Sequence, residues 1–421
     1  MRSNALFTGL DIGTSGARAT VIDFAGKVVS DGQCAMSSAG PDYRDPYVWL
    51  KAAKAALAIA FADIDTSRIA SIGVDGTSGT MLPIDKNGAP LAKASMYNDP
   101  CTDTQILEKI SENAPITSAA HGATSGLARA LSFCQELDAY KIIHQADWIA
   151  GQLCGTYTSD ENNSLKTGYD PVEGRWPHWI ENVGLDLDKL PSVEEPGCAI
   201  SHVTSDFASE FDLLPHVVVV AGTTDGCASF LATGAEDVGD GVTALGTTLT
   251  IKLLSESPIF SPENGIYSHK ILGKWLAGGA SNSGGNVLLS HFDVSQIVAL
   301  SKEINAEVDS PLDYYPLSKV GERFPIADPK LPPRLTPRPA CESEFLKGIL
   351  QGMAEIERLG YGRLSALGGP ELSTVRTVGG GSKNKVWARL RERKLKVPML
   401  IPNSDEAAYG TALLARKGVD K

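Results

Sequence analysis

The sequence lacks the cysteine and histidine patterns that mark metal-bound or disulfide-linked folds. Its seven cysteines are dispersed, at positions 34, 101, 134, 154, 198, 227 and 341. No two of them form a Cys-x-x-Cys pair, and no Cys/His cluster has the spacing of metal ligands. An odd, scattered set predicts buried reduced thiols in a reducing compartment rather than a disulfide framework.

Long apolar runs and an excess of basic residues are also missing. The longest apolar runs, such as residues 217–221, are far shorter than the roughly 20 residues of a membrane span. Residues 1–7 are too short and too mixed for a signal peptide. The net charge of -12 disfavours binding to nucleic-acid phosphates. We therefore expect a cytoplasmic monomer or homodimer with no nucleic-acid or membrane partner, located in the plastid stroma if this is a plant protein trimmed of a transit peptide.

The order of apolar segments predicts an α/β fold. A chain of 421 residues, of which 43% are hydrophobic, is long enough for two compact domains. An apolar strand is predicted over residues 6–12, and a Gly-Thr-Ser-Gly turn leads into a second strand over 18–24. A helix is predicted over 49–61, followed by an apolar strand over 69–74 and another Gly-Thr-Ser-Gly turn. Strands that alternate with helices are typical of α/β architecture.

The second half of the chain repeats part of this pattern. The β-branched run 217–220 predicts a buried strand, and a helix is expected over 227–235. A strand, a turn and a strand are expected over 242–254. The turn at 246–248 is Gly-Thr-Thr and resembles the Gly-Thr-Ser at 13–15, because both lie at the bend of a predicted hairpin. A duplicated domain would produce such an internal repeat.

Asp11 lies at the end of an apolar strand, beside a turn in which Gly13 and Gly16 allow backbone amides to approach an anion. An acid in this position can hold Mg²⁺ through water while the amides and hydroxyls face a phosphoryl group. The alternative is a hairpin turn in which Asp11 bonds only to local amides. The turn by itself does not decide between these two roles.

Two common nucleotide-binding motifs are missing from the chain. It has no Gly-x-x-x-x-Gly-Lys-Ser/Thr loop, and no Gly-x-Gly-x-x-Gly follows the first strand. Phosphate binding must then use other glycine-containing loops, namely those at residues 13–15, 246–248 and 379–381. Each of these loops could also serve the fold alone, because glycines before a helix often only permit a turn.

Asp225 follows the predicted buried strand and precedes a predicted helix. Its structural role would be that of an N-cap whose carboxylate accepts amide hydrogen bonds. Its chemical role would be that of a general base, which accepts the proton of a sugar hydroxyl while that oxygen attacks a γ-phosphoryl group. No histidine shares a motif with it as a rival base.

Seven blocks of sequence carry a family resemblance. Four of them are GLDIGTSGARATVID at 9–23, IGVDGTSGTMLPID at 72–85, AGTTDGCASFLATGA at 221–235 and TVGGGSKNKVWARL at 377–390. Three more match in kind, at 243–254, 267–285 and 321–329. In this order they resemble the FGGY carbohydrate kinases over nearly the whole chain, and most closely the short branch that includes cyanobacterial and plant pentulose kinases.

The resemblance implies two ribonuclease-H-like lobes, as in actin and hexokinase, with ATP and sugar meeting in a central cleft. The N-terminal, sugar-binding lobe would comprise residues 1–231, and the C-terminal helix at 406–421 would pack back on it. The nucleotide-binding lobe would comprise residues 232–405. The cofactors that the resemblance implies are ATP and Mg²⁺.

The resemblance also implies roles for individual residues. Asp225 would be the catalytic base, while Asp11 would position the phosphates and the metal, the latter through water. The sugar-binding residues would be Asp11, Ser15, Gly16, Ala17, Arg18, Ser78 and Asp225. The ATP-binding residues would be Gly13, Thr14, Ser15, Gly246, Thr247, Gly380, Gly381, Asn384 and Trp387. Asp160 and Asn163 match positions that line the cleft.

One departure from the family leaves the sugar open. Longer pentulose kinases have a Trp-Asn-Asp-Gly-Arg-like segment near the sugar, whereas residues 96–101 here keep the Asn-Asp and lack the Trp and Arg. We expect ATP-dependent phosphorylation of a ketopentose, with D-ribulose converted to D-ribulose 5-phosphate and D-xylulose as the next candidate. The alternatives are a sugar-responsive binding protein and an actin-like ATPase, each with little kinase turnover.

Overall fold

The computed structural model describes residues 4–419, so residues 1–3 and 420–421 of the predicted first lobe lie outside the described residues. The chain divides into two compact units. The first unit comprises the described residues up to Ala232, His269–Leu272 and those from Glu406 onward. The second unit comprises Thr233–Ser268 and Gly273–Asp405. The assignment of sugar to one unit and of nucleotide to the other stays a prediction.

Strands and helices alternate along most of the described chain. The strands are β1 (Leu6–Ile12), β2 (Gly16–Asp23), β3 (Val28–Ala35), β4 (Ile69–Gly76), β5 (Met81–Ile84), β6 (Lys141–His144), β7 (Thr158–Asp160), β8 (Ser192–Glu194), β9 (Ala199–His202), β10 (Val218–Thr224), β11 (Asp240–Leu245), β12 (Leu249–Ser255), β13 (Tyr267–Ile271), β14 (Lys274–Ser281), β15 (Thr374–Val378) and β16 (Met399–Leu400). The helices are α1 (Met36–Ala39), α2 (Pro46–Phe61), α3 (Thr104–Asn113), α4 (Gly126–Glu136), α5 (Gln145–Cys154), α6 (Glu161–Ser164), α7 (Trp179–Asn182), α8 (Ser205–Glu210), α9 (Asp225–Ala232), α10 (Gly285–Leu289), α11 (Val294–Ser301), α12 (Glu342–Ala366), α13 (Lys385–Leu395) and α14 (Ala407–Lys417). The predicted α/β fold class is confirmed.

The main sheet of the first unit has the strand order β3-β2-β1-β4-β10-β9. The β1, β2 and β3 strands are antiparallel neighbours, whereas β4 runs parallel to both β1 and β10. Every residue of β1 is buried, as expected for a central strand that is covered on both faces. The carboxyl ends of β1, β4 and β10 therefore meet at one edge of this sheet.

The sheet of the second unit repeats this arrangement. Strands β14, β12, β11, β15 and β16 lie side by side in that order. The β11 and β12 strands form an antiparallel hairpin, and β15 runs parallel to β11, just as β4 runs parallel to β1. The bends at residues 13–15 and 246–248 thus join equivalent strands of the two sheets. This equivalence supports the predicted internal repeat.

Helix α14 packs directly on the first sheet, although its sequence follows the second unit. Gly9 in β1 makes this approach possible, since a Cβ there would lie 2.0 Å from the Ala408 carbonyl oxygen. The hydroxyl of Ser71 in β4 donates to the Ala415 carbonyl at 2.6 Å. On its other side α14 contacts α9, where a Cβ on Gly410 would lie 1.9 Å from the Ala228 carbonyl oxygen. Helix α14 therefore fixes α9 relative to the sheet.

The strand and the helix around Asp225 differ from the sequence prediction. The predicted strand 217–220 continues to Thr224, because Thr223 and Thr224 still pair with β4. The helix predicted over 227–235 begins at Asp225 and ends at Ala232, before Gly234 with its φ of 76°. Strand and helix are thus contiguous. This leaves Asp225 at the junction, where its position is set by both elements.

The sequence predicted buried cysteines and no membrane-spanning segment. The prediction that the cysteines are buried is correct for Cys154 and Cys227 but wrong for Cys341, which is exposed at the start of α12. The remaining four cysteines are half-buried. Among the residues that the structure describes, no helix combines the length and the apolar character needed to cross a membrane.

The close contact between α14 and α9 predicts a sharp difference between two glycine substitutions. Gly410→Ala should lower the free energy of unfolding by about 3 kcal/mol or prevent folding, because its Cβ would overlap a backbone carbonyl. Gly362→Ala, in the exposed part of α12, should instead raise stability by about 0.5–1 kcal/mol, since no atom lies within 4 Å of its Cβ site. Thermal and urea unfolding measure both variants. Equal stability of the two would contradict the packing of α14 on α9.

Candidate active site

Three carboxyl groups meet at the carboxyl edge of the first sheet. Asp11 in β1 lies opposite Asp75 in β4, as their Cα atoms are register partners. Thr224, the last residue of β10, is the register partner of Gly76. This pairing places Asp225 next to the same edge. Asp11 and Asp75 are buried, and Asp225 is half-buried.

Asp75 is held by α14 and by Asp11. Its Oδ2 accepts a hydrogen bond from the Thr411 hydroxyl of α14. Its Oδ1 has no donor among the described residues. The Asp75 and Asp11 side chains also form a hydrogen bond with each other, and a bond between two carboxyls requires a shared proton. Burial, and then the charge of Asp11, raise the pKa of Asp75 well above its usual value. We therefore assign the shared proton to Asp75.

Asp11 is the more exposed partner of this pair and is also close to Arg18. Burial raises the pKa of Asp11, and the charge of Asp225 adds to this effect. The hydrogen bond from Asp75 and the positive charge of Arg18 lower the pKa of Asp11. The Arg18 Nη1 lies 3.4 Å from Asp11 Oδ2. The net result is a raised pKa for Asp11, and its greater exposure makes it the member of the pair that a cation could reach.

The first predicted phosphate loop, residues 13–15, is the tight turn of the hairpin that joins β1, which carries Asp11, to β2. The Gly13 amide donates to the Gly16 carbonyl at 3.0 Å. Thr14 and Ser15 at the tip are exposed. Gly16 and Ala17, which were predicted to contact the sugar, are buried within β2. Any contact of these two residues with a ligand would have to use their backbone atoms.

Ser78 belongs to the second Gly-Thr-Ser-Gly turn, immediately after β4. Its Oγ is buried and has no hydrogen-bond partner among the described residues. The preceding Thr77 donates both its amide (3.1 Å) and its hydroxyl (2.8 Å) to Gln145 Oε1, at the start of α5. The turn is therefore fixed by α5, and the Ser78 hydroxyl stays available for a ligand.

Helix α6 approaches the end of β10, close to Asp225. Asp160 accepts from the amides of Asn162 and Asn163 and so caps this helix. Burial, and then the charge of Asp147, raise the pKa of Asp160 to about 6. Asn162 Nδ2 donates to the Thr223 hydroxyl at 2.9 Å. Asp160 thus caps α6, while its neighbour Asn162 contacts β10, the strand that ends just before Asp225.

The segment that departs from the family pattern has a clear structural role. Asp99 forms a bidentate ion pair with Arg44, in which Arg44 Nη2 lies 2.8 Å from Asp99 Oδ1. This pairing lowers the pKa of Asp99. Arg129, which is buried, donates to the carbonyls of Tyr97 and Asp99 at 2.6 and 3.0 Å. The Asn-Asp element is therefore held in place by arginines from other segments.

A cavity of about 810 Å³ opens at the equivalent edge of the second sheet. Its volume lies in the range of small-molecule sites, roughly 300–1,000 Å³. The loop after β11 and the loop after β15 adjoin, since a Cβ on Gly379 would lie 2.8 Å from the Leu245 carbonyl oxygen. The predicted ATP-binding residues that line the cavity are Gly246, Thr247, Gly380, Gly381, Asn384 and Trp387. Gly13, Thr14 and Ser15 belong to the first unit and do not line it.

The apolar wall of this cavity was not predicted. It is formed by α10 and α11 and includes Leu288, Leu289, Val294, Ile297 and Val298. Leu289, Val294 and Val298 are more than half exposed and line the same cavity, and exposed apolar side chains that are grouped in this way commonly mark a binding site. Residues 294, 297 and 298 have the i, i+3, i+4 spacing of one helix face, so the sequence could have predicted an apolar helix face here. A flat apolar wall of this kind suits a planar ring such as a nucleobase.

Two of the predicted adenosine residues also have structural roles. Asn384 Oδ1 accepts from the amides of Val386 and Trp387 and so caps α13, and its Nδ2 donates to the Ser301 hydroxyl of α11 at 3.0 Å. Trp387 is buried in the core of the second unit. Its indole Nε1 has no acceptor among the described residues. Trp387 thus combines core packing with a donor that a ligand could use.

The shared proton of Asp75 predicts how stability depends on pH. Because the pKa of Asp75 is raised in the folded state, the folded protein keeps a proton that the unfolded chain loses above about pH 4. Stability contributed by this group should fall as the pH rises toward the folded pKa. Asp75→Asn mimics the protonated form and should flatten this decline. Asp31→Asn, on an exposed position of β3, should leave it unchanged. Urea unfolding between pH 5 and 8 measures the effect, and identical pH profiles of Asp75→Asn and the wild type would contradict the assignment.

The sequence matches a known family and several known proteins. The N-terminal domain of the FGGY family of carbohydrate kinases matches residues 6–128, and its C-terminal domain matches residues 241–418. A xylulose kinase from Haemophilus influenzae is 23% identical over an alignment of 452 positions, gaps included. The alignment covers 96% of this chain and 88% of the relative. An autoinducer-2 kinase from Yersinia pestis is 25% identical over 297 residues, which cover 65% of this chain and 56% of the relative.

Solved structures show the same fold. The crystal structure of a xyloylose kinase from Brucella ovis has a TM-score of 0.86 and 25% identity, and the match covers 98% of this chain and 90% of that chain. A xylulose kinase from Rhodospirillum rubrum has a TM-score of 0.85 at 22% identity, covering 99% and 91% of the two chains, and supports the fold alone. Because both family domains match and together span most of the sequence, this chain belongs to the FGGY family of carbohydrate kinases and is a sugar kinase.

Proposed function

We propose that this protein transfers the γ-phosphoryl group of ATP to a primary hydroxyl of a ketopentose, with D-ribulose as the first candidate. The observation that carries the proposal is the meeting of Asp11, Asp75 and Asp225 at one sheet edge, beside the unpartnered hydroxyl of Ser78. Ordered carboxyls at the ends of parallel strands are suited to hold an acceptor hydroxyl and to take up its proton.

Asp225 is the base in this proposal. Its Oδ1 accepts from the Gly226 amide at 2.7 Å, which orients the carboxylate at the start of α9. In the proposed reaction, this carboxylate accepts the proton of the acceptor hydroxyl as the hydroxyl oxygen attacks the γ-phosphorus. Phosphoryl transfer demands little covalent chemistry from the protein, so positioning and charge stabilisation account for most of the rate.

The donor set at this edge fits Mg²⁺. Magnesium takes oxygen ligands, keeps several waters and commonly uses one or two carboxylates together with substrate phosphates. No group of three or more Asp, Glu, His or Cys side chains in residues 4–419 forms a complete protein cage for a metal. Asp11 would hold the ion through water, and the ion would neutralise charge on the phosphates. Arg18 beside Asp11 would limit the negative charge there when no ion is bound.

The second unit would bind ATP in its cavity. The α10–α11 wall would cover the adenine ring, and the Asn384 cap at the start of α13 would hold the opposite side of the cavity. Lys302, Lys383 and Lys385 also line the cavity and supply positive charge for a polyphosphate. The glycine loops at 246–248 and 379–381 would bring backbone amides to the phosphates.

D-xylulose is the second candidate acceptor. The match to a xylulose kinase from Haemophilus influenzae favours it, as does the similarity to the Brucella ovis structure. D-ribulose remains first because the whole chain resembles the short pentulose-kinase branch. The two sugars differ only in the configuration at one carbon, so hydrogen bonds to a single hydroxyl would separate them.

A sugar panel tests the proposed reaction. ADP release from Mg-ATP should rise strongly with D-ribulose or D-xylulose over L-ribulose, L-xylulose, glycerol and a control without sugar. The expected product carries the phosphate on the terminal carbon, which mass spectrometry and ³¹P NMR can show. Hydrolysis that no sugar changes would favour the ATPase alternative, and sugar binding without ADP release would favour the binding-protein alternative.

Asp225→Asn tests the base directly. The variant keeps the shape of the side chain but cannot take the proton, so kcat should fall by roughly 10²- to 10⁴-fold. The KM for the sugar should change far less. Asp206→Asn, an exposed acid in the first turn of α8, serves as the matched control and should retain wild-type turnover. A kcat of Asp225→Asn within a factor of two of the wild type would remove Asp225 from the proposed role.

A further inference from the structure

Two buried side-chain amides in the first unit each have one atom without a hydrogen-bond partner. They are Gln145 Nε2 and Asn163 Oδ1, and both residues are almost completely inaccessible, at 1% and 0% relative exposure. A buried donor or acceptor left unpaired costs about 1–3 kcal/mol. Each such group calls for an explanation, and a bound ligand that supplies the missing partner is one.

The orientation of the Gln145 amide is fixed by Thr77. The Thr77 backbone amide can only donate, so the atom that it meets at 3.1 Å must be the Gln145 oxygen. The Thr77 hydroxyl, at 2.8 Å, shares this acceptor. The Nε2 atom of Gln145 is therefore identified without ambiguity, and its two N–H groups are the unsatisfied donors.

The orientation of the Asn163 amide is fixed by Asp160. Asn163 Nδ2 lies 2.6 Å from Asp160 Oδ2, and the Asn163 backbone amide lies 3.0 Å from Asp160 Oδ1. A carboxylate requires the donor end of the amide to face it. The Oδ1 atom of Asn163 is consequently the unpaired acceptor, and it complements the unpaired donors of Gln145.

Both amides adjoin the edge of the sheet that carries Asp225. Gln145 contacts Thr77, which directly follows β4 and precedes Ser78. The neighbour of Asn163, Asn162, donates to Thr223 in β10, two residues before Asp225. The unpartnered hydroxyl of Ser78 lies on the same turn. The unpaired donors, acceptor and hydroxyl thus belong to segments that contact the ends of β4 and β10, the edge at which the proposed base lies.

A buried histidine, His144, links the two segments that carry these amides. His144 directly precedes α5, and its Nδ1 lies 2.8 Å from Asp147 Oδ2. Its Nε2 lies 3.0 Å from the Thr167 hydroxyl, which follows α6. The imidazole therefore connects the start of the helix that carries Gln145 to the segment that carries Asn163. Preorganised side chains of this kind give hydrogen bonds their selectivity.

We propose that Gln145 and Asn163 bind the secondary hydroxyls of the acceptor sugar and determine which polyol is phosphorylated. Gln145 donates to one hydroxyl oxygen, and Asn163 accepts from a hydroxyl group, while Asp225 faces the reacting primary hydroxyl. This inference rests on the proposed kinase function and names its specificity residues. Because both amides are neutral, the site selects an uncharged polyhydroxylated chain and rejects analogues that lack the bound hydroxyl.

The test combines removal of the amide with removal of a sugar hydroxyl. Gln145→Met should lower kcat/KM for the preferred ketopentose by about 5- to 150-fold, because the side chain can no longer donate to the sugar. Most of this loss should appear as a higher KM. The wild type should show a loss of similar size toward one monodeoxy derivative of that sugar. Gln145→Met should show little further loss toward the same derivative, because the hydroxyl and the amide act as a pair. Asn163→Ala should behave likewise toward a different hydroxyl.

Matched controls separate binding from structure. Gln152→Met lies on the same helix and removes an amide that already donates to Tyr157 Oη at 2.8 Å, so it should keep the discrimination of the wild type. Asn113→Ala, at an exposed amide of α3, is the control for Asn163→Ala. If Gln145→Met does not fold, Gln145→Glu retains the acceptor for Thr77 and replaces the unpaired donors. The inference is overturned if folded Gln145 and Asn163 variants discriminate against the deoxy sugars as the wild type does.

Equilibrium binding separates this inference from the proposed reaction. If the wild type releases no ADP with any sugar, the proposed function fails, and calorimetry with D-ribulose and D-xylulose decides the inference independently. Sugar binding by the wild type that Gln145→Met weakens by the same 5- to 150-fold would support the subsite. Absence of sugar binding by the wild type would overturn the subsite together with the reaction.

Discussion

The first unit depends on the arrangement of three carboxyl groups, of which Asp11 and Asp75 share a hydrogen bond and both have raised pKa values. Asp11, Asp75 and Asp225 meet where β1, β4 and β10 end. Like charges at short distance raise one another's pKa, and burial adds to this effect. A proton on Asp75 relieves this repulsion, whereas the hydrogen bond from the Thr411 hydroxyl of α14 fixes the Asp75 carboxyl and by itself lowers its pKa. In the proposed reaction, Asp11 then faces the cation and Asp225 acts as the base.

This constraint also explains the position of the C-terminal helix. Helix α14 supplies Thr411 to Asp75 and packs against α9, which begins at Asp225. One helix therefore contacts the supports of both functional acids. A change in its packing would alter the proton shared by Asp75 and Asp11 as well as the position of the base. The fold and the chemistry of the first unit are coupled through this contact.

Much of the fold and part of the site could be predicted from the sequence. The first strand and the glycine loops follow from local apolar patterns and turn residues, and β1 has the predicted bounds. Asp75 was overlooked although it precedes a Gly-Thr-Ser-Gly turn much as Asp11 does, because the pattern does not show that parallel pairing brings the two acids together. Asn163 was expected only as a residue that lines the cleft, and Gln145 was not found at all, since an unpaired buried atom is a property of the packed structure alone.

Family membership fixes the reaction class but leaves the acceptor to local chemistry. Relatives at 23–25% identity carry the names of kinases for different substrates, xylulose and autoinducer-2 among them. Selectivity must then arise from a few side chains around a common base. A fold that places donors and acceptors at the end of one sheet can change its sugar by changing those side chains alone.

A crystal structure of the protein with D-ribulose tests the central claim most directly. The terminal hydroxyl of the sugar should lie within about 2.6–3.2 Å of the Asp225 carboxylate, at the edge where Asp11 and Asp75 meet. Secondary hydroxyls should contact Gln145 Nε2 and Asn163 Oδ1. A sugar bound away from this edge, or with its terminal hydroxyl turned from Asp225, would contradict the account.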